Sequence, residues 1–174
     1  MAVATAAPPQ AIAGVSPSHE REIETEFPSI AAVAPGRILG GLMNCLPVGT
    51  GIVKLSYLIF GLPLAPLGGI GYLQLKVTGQ RYTVTNRSVS VRGAMTGAVI
   101  KQVALKDVAS VDVDVLGGQE FFRAGDVVLR NAGGDEILRC AGVPQPERFK
   151  HVIVEARDAR MQSDEALAAI NKRR

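Results

Sequence analysis

The chain has 174 residues, enough for one domain with appendages and too few for several full domains. Apolar residues make up 47% and charged residues 20%, a more apolar balance than a soluble globular protein usually has. Lys and Arg exceed Asp and Glu by only three charges, so the charge balance does not indicate a nucleic-acid-binding protein. Cys45 and Cys140 lie far apart without a CxxC motif, which argues against a disulfide scaffold and a zinc site.

The first 36 residues predict a tail followed by a strand. Residues 1–20 are rich in Ala, Pro, Gln and Ser and have no basic start, so they predict a disordered tail and not a secretory signal. Residues 21–36 predict a short strand and a juxtamembrane segment, because Ile23 and Thr25 alternate with glutamates in a period of two until Pro28 interrupts them.

Residues 37–76 contain a single charge between their ends, at Lys54. Residues 55–75 are uncharged, and a helix of that length at ~1.5 Å per residue spans the ~30 Å hydrocarbon core of a bilayer. Residues 38–53 are also apolar but shorter, and a proline interrupts them. Together the two segments predict a transmembrane helical hairpin.

Small residues within these segments would let two helices approach closely. They are Gly36, Gly40, Gly61, Ala65 and Gly69. Two other interpretations stay open: a buried hairpin in a soluble protein, or a single span with the first segment lying in the membrane interface.

Basic residues flank the hairpin at both ends, which predicts that both ends lie in the cytoplasm. The sequence therefore predicts an integral cell-membrane protein whose remaining domain faces the cytoplasm.

After Lys76 the period changes from that of a helix to that of strands. Residues 77–144 contain about six short runs in which β-branched and polar residues alternate, separated by Gly-rich turns. From residue 146 the apolar residues follow helical spacing: Phe149, Val152, Ile153 and Ala156. A β-domain with a C-terminal helix is thus predicted over residues 77–160, with a helix extension and basic tail over residues 161–174.

The order of these parts resembles a known family. The most specific pieces are Tyr82-Thr83-Val84-Thr85-Asn86-Arg87, the Ala132-Gly133-Gly134 turn and Gly142-Val143-Pro144. The chain resembles the bacterial pleckstrin-homology-like (PH-like) domain membrane proteins. The resemblance implies a mainly β fold with α elements: a seven-stranded, strongly bent antiparallel sheet or barrel, capped by a C-terminal helix, with an early strand from the segment before the membrane.

The same resemblance suggests where a binding site lies. Eukaryotic PH domains often bind phosphoinositides through basic residues of the first hairpin, and the matching region holds Arg87, Arg92 and Lys101. These three are the candidate lipid-binding or partner-binding residues. Bacterial relatives generally lack the lipid-binding signature, so the resemblance carries fold and membrane attachment without a specific ligand.

No catalytic or cofactor-binding pattern is evident. Asp112 and Asp114 lie on one face of a predicted strand, but no third oxygen-rich group accompanies them as a metal site requires. His19 and His151 have no nucleophile or carboxylate at motif spacing. No enzyme activity, cofactor, metal or nucleic-acid partner is therefore expected.

These features predict a membrane-anchored PH-like binding or scaffold module. It would recruit a protein partner at the cytoplasmic face of the membrane, with help from anionic lipid headgroups. The alternative is a structural subunit of a larger membrane assembly or a homo-oligomer.

Overall fold

The computed structural model describes residues 20–45, 49–50, 53–54 and 57–172. The tail predicted for residues 1–20 lies outside this part of the chain except for Glu20. In chain order the elements are β1 (Glu22–Glu26), α1 (Ala34–Asn44), β2 (Gly49–Thr50), β3 (Val53–Lys54), α2 (Leu62–Thr78), β4 (Gln80–Thr85), β5 (Ser88–Gly93), β6 (Val99–Ala104), β7 (Ser110–Asp114), β8 (Ala124–Arg130), β9 (Glu136–Pro144) and α3 (Pro146–Lys172).

Seven of these strands form two antiparallel sheets. The first sheet has the order β1-β4-β5-β6 and the second the order β7-β8-β9. The predicted early strand is present as β1, which pairs with β4 across the inserted helices. The mixed β/α architecture, with two antiparallel sheets and a C-terminal helix, agrees with the PH-like fold predicted from the sequence.

The core lies between the two sheets and α3. Residues of alternating position on β4 and β5 point into it, and the apolar stripe of α3 covers its open side. Phe149 and Ile153 are almost completely buried there, as the helical spacing predicts. The seven strands and α3 together are called the β-domain below.

The segment between β1 and β4 forms two helices, α1 and α2, called the helix pair below. The two helices approach each other at small residues: a Cβ built on Gly68 of α2 would lie 3.7 Å from Leu39 Cδ2, and one built on Gly61, just before α2, would lie 3.8 Å from Met43 Sδ. Among the described residues, no helix has both the length and the apolar character that crossing a bilayer requires.

The predicted two-span hairpin therefore needs correction. The helix of its first segment has only 11 residues, Ala34–Asn44. Its second segment begins with a π-helical turn, Tyr57–Gly61, and only then continues as the 17-residue α2 with Pro66 inside it. Residues 46–48, 51–52 and 55–56 of the predicted hairpin lie outside the described residues.

Two of the small residues expected between the helices have another role. A Cβ on Gly40 would lie 2.0 Å from the carbonyl oxygen of Gly118 in the β-domain, and one on Gly36 would lie 1.9 Å from the Ile30 carbonyl oxygen. Gly118 itself has φ +85°, in the left-handed region that favours glycine. These glycines thus bring α1 against the β-domain and the preceding turn, and not against α2.

Candidate functional site

The surface of α2 is unusually apolar. No residue of this helix is buried, and its large apolar side chains face outward, with Leu62 76%, Leu67 64% and Ile70 63% exposed. Ile38 of α1 is 65% exposed as well. Contiguous apolar surface of this kind marks a site of contact with protein, ligand or membrane.

A groove with a volume of about 720 Å³ runs between α1 and α2. Its walls are almost entirely aliphatic or glycine, with side chains such as Leu39, Leu42, Leu64 and Leu67, and only Gln74 and Thr78 add polar groups. The groove continues the apolar surface of the helix pair.

Aromatic residues and one cation lie where α2 meets the β-domain. Lys76 Nζ is 5.8 Å from the ring centroids of both Phe27 and Tyr72, a cation–π geometry. A cavity of about 480 Å³ opens beside them and also contacts Glu26 and Phe122. Burial raises the pKa of the Glu26 carboxyl above its ordinary value, and the nearby charge of Glu24 adds to this.

A buried polar network joins the β-domain to the turn that precedes α1. Gln119 Nε2 donates to Asp126 Oδ1 at 2.7 Å and to the Ala31 carbonyl oxygen at 3.4 Å, while Gln119 Oε1 accepts from the Leu116 amide at 2.8 Å. Asp126 Oδ1 also accepts from the Gly142 amide at 2.9 Å. Sequence reasoning missed this network, although an aspartate inside the apolar run of β8 is a signal that a buried partner exists.

The first sheet has one face towards the core and an opposite face, called the outer face below. Hydroxyl and guanidinium groups line this outer face. Thr25, Thr83, Ser90 and Gln102 lie opposite one another across its four strands, and Arg81 lies directly opposite Arg92 in the next row. Thr83 and Ser90 are fully buried.

Glu20 reaches this face at the β4–β5 turn. Its Oε1 accepts from Ser88 Oγ at 2.6 Å and from Thr85 Oγ1 at 2.7 Å. These hydrogen bonds lower the pKa of the Glu20 carboxyl, and the charges of Arg92 and Arg87 lower it further. Sequence reasoning placed Glu20 in the tail and gave it no role.

The three candidate binding residues lie at different places on the β-domain. Arg92 folds back along β5 so that its Nε donates to Ser90 Oγ at 3.2 Å, and its charge reaches Glu20. Arg87 lies in the β4–β5 turn and also acts on Glu20. Lys101 pairs with Val91, whose side chain points into the core, so Lys101 is on the opposite face and acts on Glu136 instead. The structure thus joins Arg87 and Arg92 through Glu20 and separates Lys101 from them.

Asp112, Asp114 and His151, which the sequence analysis considers as metal or catalytic groups, lie at ion-pair distance from neighbouring side chains. Asp112 Oδ2 lies 3.2 Å from Arg130 Nε, and Asp114 Oδ2 lies 3.4 Å from Arg139 Nη2. His151 Nε2 lies 3.1 Å from Glu155 Oε1 on the exposed side of α3, whereas His19 lies outside the described residues. Within the described part of the chain, no three His, Cys, Asp or Glu side chains are grouped so that they could hold a metal ion.

Seven strands in two antiparallel sheets, followed by a C-terminal helix, are the architecture of the PH-like domains. Residues 29–157 match the model of the bacterial PH domain family, about three quarters of the chain. The protein belongs to this family. A comparison with curated proteins gives no significant match.

Proposed function

We propose that the protein is a non-enzymatic binding module held at the cell membrane by its helix pair. In this proposal the β-domain faces the cytoplasm and recruits a protein partner at the membrane surface. Membership of the bacterial PH domain family supports the role of a binding module, because PH-like domains generally act by recognition.

The observation that carries the membrane proposal is the outward-facing apolar surface of α2. Burying a side chain the size of Leu67 or Ile70 stabilises a contact by about 1.5–3 kcal/mol. Several such side chains on one helix favour a position in which the helix pair lies within the apolar boundary of a bilayer.

The residues around Lys76 support the same orientation. Tyr72 and Lys76 lie at the end of α2 next to the β-domain, and aromatic and basic residues are enriched where a membrane protein meets the lipid headgroups. If the lipid headgroups lie beside Tyr72 and Lys76, the β-domain is in the aqueous phase, where soluble proteins can reach it. Arg87, Arg92 and Lys101 are the residues proposed to contact that partner or anionic headgroups.

Flotation of the purified full chain with liposomes tests the anchor. We expect the wild type to float and the variant Leu67→Ser/Ile70→Ser/Leu73→Ser to lose most of its binding. The matched control is Met161→Ser/Leu167→Ser/Ile170→Ser, which removes exposed apolar side chains from α3. Equal flotation of all three proteins would show that α2 is not the anchor.

Cysteine labelling of intact cells tests the orientation. Met95 is 74% exposed on the β-domain and can be changed to Cys in a Cys45→Ser background. Cys140 can remain, because burial raises the pKa of its thiol to about 12 and makes it unreactive. We expect a membrane-impermeant reagent to label position 95 only after the cells are opened; labelling of intact cells would contradict a cytoplasmic β-domain.

A second candidate function is a structural subunit that assembles with further copies of itself. It is favoured by Ala65 and Gly69 of α2, two exposed small residues four positions apart on one face of the helix; a Cβ added to Gly69 would meet no atom within 4 Å, so that another helix could approach closely. Under this alternative the Ala65→Leu/Gly69→Leu variant dissociates an oligomer observed in detergent. Under the recruitment proposal the chain is monomeric and the variant changes nothing.

A further inference from the structure

We propose that the groove between α1 and α2 is a binding site for one acyl chain of a membrane phospholipid. The methyl end of the acyl chain lies between Leu42 and Leu64, and its ester end lies beside Gln74 and Thr78, where α2 passes into β4. This proposal rests on the membrane position proposed for the helix pair, because the bilayer is the source of the acyl chain.

The dimensions of the groove suit a single hydrocarbon chain. Along α2 the lining residues extend from Leu64 to Thr78, a length of ~21 Å at ~1.5 Å per residue. A volume of about 720 Å³ over this length corresponds to a mean width of ~6–7 Å. An α-helix with its side chains is ~10–12 Å wide, so a helix of a partner protein is too wide for the groove.

The chemistry of the walls argues against an extended peptide in the same place. Among the described residues that line the groove, only Gln74 and Thr78 have polar side chains, and Thr78 Oγ1 already donates to the Gln74 carbonyl oxygen at 2.9 Å. A peptide backbone has a donor and an acceptor at almost every residue, and burying them without partners costs free energy. A row of methylene groups has no such groups, and its burial against aliphatic walls is favourable.

The two ends of the groove differ in polarity as the two ends of an acyl chain do. Leu42, Leu64 and Leu67 line one end, whereas Gln74 and Thr78 lie at the end next to β4. This polar end is at the level proposed for the lipid headgroups. From there the groove is long enough to hold an acyl chain over the full depth of one leaflet, which is ~15 Å or half of the ~30 Å hydrocarbon core.

Gly71 is the position at which the groove can be closed. This residue lines the groove, and a Cβ built on it would meet no atom within 4 Å. A Cβ on Gly68, in contrast, would lie 3.7 Å from Leu39 Cδ2 of the other helix. A leucine at position 71 therefore fills the groove without separating the helices. Gly41 of α1 also has open space at its Cβ but does not line the groove, so Gly41→Leu is the matched control.

Native mass spectrometry of the full-length protein, extracted in a mild detergent from liposomes of phosphatidylglycerol, tests the site. We expect the wild type and Gly41→Leu to retain one lipid per protein molecule. Gly71→Leu should lower the lipid-bound fraction by about tenfold or more, because the added side chain takes up the space of the acyl chain. Equal retention by all three proteins would overturn the proposal, and so would a distribution of lipid numbers without an excess of one.

A photoreactive lipid tests the site in the wild type, whether or not Gly71→Leu folds. The probe is phosphatidylglycerol with a diazirine at the end of one acyl chain, added in detergent at one molecule per protein molecule. Peptide mapping should find several times more modification at Leu64, which lines the groove, than at Leu62, which is 76% exposed two positions away. Equal or greater modification of Leu62 would exclude the groove as the site.

Flotation separates a failure of this proposal from a failure of the membrane proposal. Gly71→Leu leaves the outward-facing side chains of α2 unchanged and should float with liposomes as the wild type does. A wild type that floats but retains no lipid overturns the acyl-chain site alone, whereas a wild type that does not float overturns both proposals.

Discussion

The helix pair and the β-domain use their apolar residues in opposite ways. In the β-domain, alternation along each strand directs valines and leucines into one core and leaves hydroxyl and charged groups on the outer face. In α2 no side chain is buried, although the helix is the most apolar of the three described α-helices. The β-domain is thus stabilised by its own core, whereas the outward surface of the helix pair is available for contact with another phase or molecule.

The largest expected difference between the two regions is in the cost of shortening an apolar side chain. Phe149→Ala should lower the free energy of unfolding by about 3–5 kcal/mol, because Phe149 fills the core and leaves a cavity. Leu67→Ala in α2 should change it by less than about 0.5 kcal/mol, because the side chain is exposed. Urea unfolding of the full chain, followed by circular dichroism, measures both; similar losses would mean that α2 is buried in the protein.

A smaller effect is expected where the two regions meet. Gly40→Ala should destabilise the chain by about 1–3 kcal/mol, because the added Cβ would overlap the Gly118 carbonyl oxygen and push α1 away from the β-domain. Its neighbour Gly41 has open space at the same position, so Gly41→Ala should be neutral or stabilise the helix by up to about 1 kcal/mol. Thermal unfolding of both variants distinguishes them. Equal stability would show that α1 does not rest on Gly118.

The strands and α3 could be predicted from the sequence because their packing produces simple periods. Alternation of Val with polar residues over β4 to β9 follows from having one face against the core, and the spacing of Phe149, Ile153 and Ala156 follows from one buried helix face. The sequence also indicated that two apolar segments form helices. Their bounds were not predictable, because an evenly apolar run of residues marks neither the end of α1 at Asn44 nor the π-helical turn at Tyr57–Gly61.

The candidate site was predictable only in part. Arg87 and Arg92 stand out in the sequence as basic residues of one predicted hairpin, but their relation to Glu20 depends on β1 pairing with β4 across the inserted helices. That pairing brings together residues 65 or more positions apart, such as Glu20 with Thr85 and Ser88. The resemblance to PH domains groups Lys101 with the two arginines, whereas strand register places it on the other face of the sheet.

The smallest expected effect concerns two glutamates near opposite ends of β1: Glu20, two residues before the strand, and Glu26, its last residue. The pKa of Glu20 is lowered by the hydroxyls of Ser88 and Thr85, and the pKa of Glu26, beside the helix pair, is raised by burial. As the pH falls, Glu26 should therefore take up its proton first. Burial penalises the ionised form of Glu26 in the folded state, so the folded state gains stability as the pH falls through the raised pKa of Glu26. Glu20 contributes stability above its unfolded pKa that is lost as the pH falls through its lowered folded pKa.

Carboxyl-detected NMR titration of the full chain measures the two pKa values separately. Ser88→Ala should raise the pKa of Glu20 and leave that of Glu26 unchanged, because the two side chains share no partner in the described contacts. A common pKa for both glutamates in the wild type would show that the carboxylate of Glu20 is not held by the sheet. The polar outer face would then lack its internal anion, and the charges of Arg81 and Arg92 would need another neutralising group.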